Sequence, residues 1–130
     1  MRRMTAGLVL AASCVTCPAI AQDVLSTKGE WTPTETRQAR DETIKRLRSI
    51  EAEVDRALAK GASAEVSDRL YWKTSAITRA WAGQRTLSDK PCMIAGNRLV
   101  DGIQTITAKP ANWYKGDYVA ALARCRSATY

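Results

Sequence analysis

Four cysteines are the first side chains in this chain whose type and spacing could do chemistry. Cys14 and Cys17 form a C-x-x-C frame inside "ASCVTCPAIAQ", residues 12–22, while Cys92 and Cys125 stand alone. Such a frame can bind metal, carry thioredoxin-like redox chemistry or, with His directly after it, attach a c-type haem. Haem attachment is excluded, because Pro18 follows the frame and the chain contains no histidine. The βαβ pattern that a thioredoxin-like site needs is also missing around it.

The flanks of the frame give it another meaning. "MRRMT" is a short basic start, "AGLVLAASCVTC" an uncharged apolar run, and "AIA", residues 19–21, a small-x-small site. This is the layout of a secretory signal peptide. The run is shorter than the roughly 20 apolar residues that cross a bilayer. Cleavage is expected after Ala21, which would remove Cys14 and Cys17 with the leader. A lipoprotein reading of "LAASC", with Cys14 lipidated, is the minor alternative; Ala11 stands where such motifs carry Leu. Twin-arginine export through Arg2 and Arg3 fits less well than general secretion, because "RRMTA" lacks the early apolar residue.

The expected mature chain of 109 residues has room for one small domain. Cys92 and Cys125 remain, and an even count in an oxidising compartment implies a disulfide. It would close a loop of about 33 residues and stabilise the fold by roughly 3.5–4 kcal/mol on the chain-entropy model. Losing Arg2 and Arg3 takes the net charge from +7 to +5. Outside the cytoplasm a basic protein meets acidic proteins, anionic lipid or cell-wall polymer rather than nucleic acid.

Other routes to chemistry are thinly supplied. With no His, the commonest metal ligand and the commonest general base are both absent. No G-x-S-x-G, S-x-x-K or phosphate-cradling glycine loop occurs. Glu51, Glu53 and Asp55 are candidate carboxylates, but they fall on a charged helix, and nothing pairs them across a cleft. No catalytic residue, metal site or cofactor is therefore assigned.

The elements expected to carry these residues are helical. Residues 22–31 read as a flexible arm. "TPTE", residues 32–35, opens a helix to about Lys60: Thr32 caps, Pro33 takes the first position, and Glu35 reaches back. Gly61 can end it. Ile44, Leu47, Val54 and Leu58 form its apolar stripe, with Glu51 interrupting the seam. Ser63 caps a second helix over about 64–86, with Val66, Leu70, Ile77 and Trp81 on one face, and the short connection implies an antiparallel hairpin. "CMIAGNRLVDGIQTITAKP" is ambiguous. As a helix it suffers from Gly96 and Gly102, about 1 kcal/mol each. As strands it would turn at Asp101-Gly102, giving a hairpin at about 98–107. The helix is preferred, because a helical core is already present to receive it. Asp117 caps a last helix that aims Tyr118, Leu122 and Cys125 at one face. The fold class is thus all-α, a bundle of three or four helices over residues 32–130, with α+β the alternative.

Aromatic placement remains. At 100° per residue Trp72 lies about 240° from Val66, away from the apolar stripe and beside Ala76 and Gly83. It either receives another helix or binds a partner. Trp113 and Tyr114, in the late loop, form a second candidate patch, and Trp31 suits the domain's edge. The expectation is an exported, non-catalytic protein-binding module acting on an envelope protein: an accessory subunit, an inhibitor or immunity protein, or a chaperone. The alternative is a basic surface protein that binds anionic membrane lipid or cell-wall polymer.

Overall fold

The computed structural model describes residues 23–130. The leader, its cleavage site and the Cys14–Cys17 frame lie outside the described residues. Four helices follow one another: α1 (Pro33–Lys60), α2 (Ala64–Ala82), α3 (Pro91–Thr105) and α4 (Lys115–Ser127). They are preceded by a 3-10 turn at Val24–Ser26, and no strand occurs among the described residues. The fold is an all-α bundle.

α1 begins with a complete capping box. The Thr32 hydroxyl accepts from the Glu35 N–H at 3.1 Å, and the Glu35 carboxylate accepts from the Thr32 N–H at 2.9 Å. The helix stops at Gly61, whose φ of +83° suits a residue without Cβ. The buried seam of α1 is Thr36, Ala39, Thr43, Leu47, Ile50, Val54 and Ala57. Ile44 and Leu58, expected on the stripe, are only half-buried at its margin. Thr43 is buried for a polar reason. It accepts a hydrogen bond from Trp81 Nε1 at 2.9 Å, which satisfies the largest buried side chain in the core.

α2 starts at the Ser63 cap and ends earlier than expected, at Ala82. Gln84 explains the early end. Its side chain turns to the N-terminal arm, accepting from the Trp31 N–H at 2.7 Å and donating to the Gly29 carbonyl at 2.9 Å. The arm is therefore docked over residues 23–31, a correction to its reading as flexible. Leu25 and Trp31 are buried, Trp31 meets Trp81 edge-on at 4.9 Å, and Asp23 pairs with Arg46 at 2.7 Å. Local sequence shows none of these partners, because they lie 23 to more than 50 residues away.

The ambiguous segment is helix α3, so the hairpin alternative at 98–107 does not form. Its two glycines are packing points. A Cβ on Gly96 would stand 2.6 Å from Thr78 Cγ2 on α2, and one on Gly102 would stand 2.5 Å from the Trp113 indole. Each glycine weakens the isolated helix, and each lets a neighbour approach its backbone closely. α3 is the central element, packed along both α2 and α4, while α1 lies more lightly against all three. α1 and α2 run antiparallel, with Arg69 and Lys73 reaching Glu53 near one end and Trp81 bonded to Thr43 near the other.

α4 begins at Lys115, two residues before the expected cap, and Asp117 lies in its first turn. Cys92 in the first turn of α3 and Cys125 in the last turn of α4 form the disulfide, with Cα atoms 4.5 Å apart. The bond closes the open end of an antiparallel α3–α4 pair.

Candidate functional site

Trp72 lies on the outer face of α2 and is 58% exposed. The helical period sets it there: Leu70, Thr74, Ile77 and Trp81 take the core, and Trp72 falls between their rows. Its ring is nonetheless held. Tyr71 meets it edge-on at 5.3 Å, and the Arg79 guanidinium, two turns along the helix, sits 5.6 Å from the ring centroid. An exposed indole ordered by a cation and a second ring has the form of an interface anchor.

Two shallow hollows lie along this side of α2; Trp72 lines neither, but its partner Arg79 lines one. Between α1 and α2, a surface hollow of about 410 Å³ has Ile50, Ala76 and Ile77 among its lining, with Arg46 and Lys73 beside them. A second hollow of about 390 Å³ continues between α2 and the docked arm, shares Ala76, and is lined by Arg79 and Lys28. No carboxylate lines either hollow. From Arg69 to Gly83, α2 carries three cations and no acid.

The other expected anchors separate. Trp113 is half-buried. Its indole covers Gly102 and its ring lies 6.0 Å from Tyr118, so it packs on the core beneath the late loop. Tyr114 is 74% exposed and stands at the start of α4 over Gly116. Trp113 and Tyr114 thus do not share one exposed patch, and no aromatic pair among the described residues joins either to Trp72. The missed elements of this surface are Arg79 and the arm. The i,i+7 spacing of Trp72 and Arg79 was a readable signal for the first, whereas the arm left none.

The densest group of titratable side chains lies elsewhere. Tyr118 donates to Glu51 at 3.1 Å, and Lys115 bridges Glu51 and Asp55, each at 2.9 Å. Burial pushes the Tyr118 phenol well above its usual range, and the Glu51 charge adds to this. Hydrogen bonds to Asp55 and Glu51 hold Lys115 above its usual value. Both groups are thereby kept in their resting protonated forms, poor starting points for a base or nucleophile at neutral pH. What the cluster does is tie the start of α4 to the second half of α1. Among the described residues no group of three or more metal-ligating side chains is placed to hold an ion, and no helix is long and apolar enough to cross a membrane. Comparison with known proteins returns no match: no family model, no curated protein and no solved structure is similar to this chain.

Proposed function

We propose that this chain is an exported, non-catalytic protein-binding module, and that its partner surface is the Trp72 face of α2. The leader-like N-terminus supports export. The carrying observation is the exposed Trp72 indole, held between Tyr71 and Arg79 on the outer face of α2. Accessory subunits, inhibitors or immunity proteins, and envelope chaperones all bind through faces of this kind. Tyr114 is a secondary contact in this proposal, while Trp113 packs on the core.

A second reading has its own observation. Lys45, Arg48, Arg56 and Lys60 recur along the exposed side of α1, and none forms an ion pair among the described residues. That stripe suits anionic lipid or cell-wall polymer. One experiment separates the two: affinity capture from envelope extract on immobilised protein, eluted by stepped salt, with Trp72→Ala in parallel. A protein retained through high salt and lost with Trp72→Ala is the expected result. Material released at modest salt from both baits equally would move the function to the α1 stripe, because exposed charge attraction is screened over roughly 8–10 Å near physiological ionic strength.

A further inference from the structure

We infer that the outer face of α4 pairs with a second copy of this chain, as two antiparallel helices about a two-fold axis beside Ala120. The inference goes beyond the Trp72 reading and does not depend on it, because α2 and α4 both pack along α3 without touching each other.

The face stands out by what it lacks. α4 turns Tyr118, Ala121, Leu122 and Cys125 to the core. At 100° per residue, Gly116, Val119, Ala120 and Ala123 fall within an arc of about 100° on the opposite side. Val119 is 53% exposed, and the Tyr114 ring, 74% exposed, stands over Gly116 at the end of the row. The outward rows of the other helices carry charge: Lys45 and Arg48 on α1, Asp68 and Arg79 on α2, Arg98 and Asp101 on α3. That of α4 carries none. A helix that is apolar on two opposite faces has the pattern of an element covered on both.

The charges at the margins choose the occupant. Asp117 and Arg124 share one margin, about 10.5 Å apart along the helix. Arg126 lies on the other margin. None of the three forms an ion pair among the described residues. With a two-fold axis midway along the helix, Asp117 of each copy faces Arg124 of the other. The same register sets Arg126 across from the other copy's Lys115, whose charge is outweighed by its partners Glu51 and Asp55. Val119 meets Ala123 between these margins, and Ala120 lies against its own counterpart. One register therefore serves every unpaired charge of α4. A parallel pair would set Asp117 against Asp117 and Arg124 against Arg124. An anionic lipid surface would meet Asp117 and Asp55 at the rims. A single helix face about 17 Å long covers less than the roughly 800 Å² per partner of a standard interface. The dimer is therefore reversible, with a dissociation constant on the order of 100 μM.

The test is sedimentation of the purified chain from about 20 μM to about 2 mM. It compares the wild type with Ala120→Glu, Asp117→Arg, Arg124→Asp and the double variant Asp117→Arg/Arg124→Asp. All three positions are exposed, and circular dichroism verifies that each variant keeps its helices. The wild type should dimerise, each single variant should dimerise about tenfold or more weakly, and the double variant should recover, since its pairs reform with the signs exchanged. That recovery separates the antiparallel register from a general effect of charge. A wild type that stays monomeric, a dimer indifferent to Ala120→Glu, or a double variant that does not recover would each overturn the inference. So would a monomeric chain that captures another envelope protein and loses it with Ala120→Glu, which would give the face to that protein. Trp72→Ala should leave the dimer unchanged, so loss of capture with Trp72→Ala and loss of the dimer with Ala120→Glu report on separate faces.

Discussion

Gly102 shows how a residue's meaning depends on what lies against it. By helix propensity alone, Gly102→Ala should stabilise α3 by about 1 kcal/mol. In the folded chain the new Cβ would stand 2.5 Å from the Trp113 indole, a separation that real Cβ atoms do not show. The indole must move and uncover the core, so the expected outcome is destabilisation of about 1–3 kcal/mol, read as a lower urea midpoint. The two accounts predict opposite signs. A double-mutant cycle with Trp113→Ala isolates the cause: with the indole gone, Gly102→Ala should become neutral or stabilising. Gly102 and Trp113 were both conspicuous in the sequence, one as a helix breaker and one as a candidate anchor. Their contact was not legible, because it depends on how the loop after α3 folds back. Trp72 was legible for the opposite reason. Helical period alone set it off the apolar stripe, while whether another helix would cover it stayed open until the fold showed it 58% exposed.

At the level of elements, the signals that survived are those whose partners lie within one turn. The Thr32–Glu35 box, Pro33, Gly61 and Ser63 bound α1 and the start of α2 where expected. The arm and the end of α2 were misplaced, because Gln84 acts on residues more than 50 positions away. The disulfide was legible from the even cysteine count together with the expected export, and it acts on an element pair. Cys92 and Cys125 lock the beginning of α3 to the end of α4, closing a loop of 33 residues. Replacing both with Ala should lower stability by roughly 3–4 kcal/mol through the unfolded chain's added freedom. Helical content at low temperature should be retained, since α3 also packs along α2. Far-ultraviolet circular dichroism with a urea titration reads both quantities. Loss of helicity without denaturant would mean that the α3–α4 pair depends on the bond to form at all.

Across the described residues, the absence of His and the pairing of Cys92 with Cys125 leave a wide interval in which no side chain of ordinary pKa titrates. The groups shifted from their usual values lie outside that interval on both sides. Burial alone would raise Asp23, but hydrogen bonds from Arg46 and the Leu25 N–H outweigh it and hold the carboxyl low. Glu53 is likewise held low, with burial outweighed by Arg69 and Lys73. A carboxyl depressed in the folded state contributes stability above its unfolded value, near pH 4, and loses it as pH falls through the folded one. Lys115 and Tyr118 are raised, so their contribution is full below about pH 10 and declines as the unfolded chain begins to release those protons. Thermal midpoints should therefore be flat between about pH 5 and 9, fall on the acid side, and fall again above about pH 10. Tyr118→Phe should soften the alkaline fall by removing the buried phenol, whereas a step between pH 6 and 7 would contradict this account.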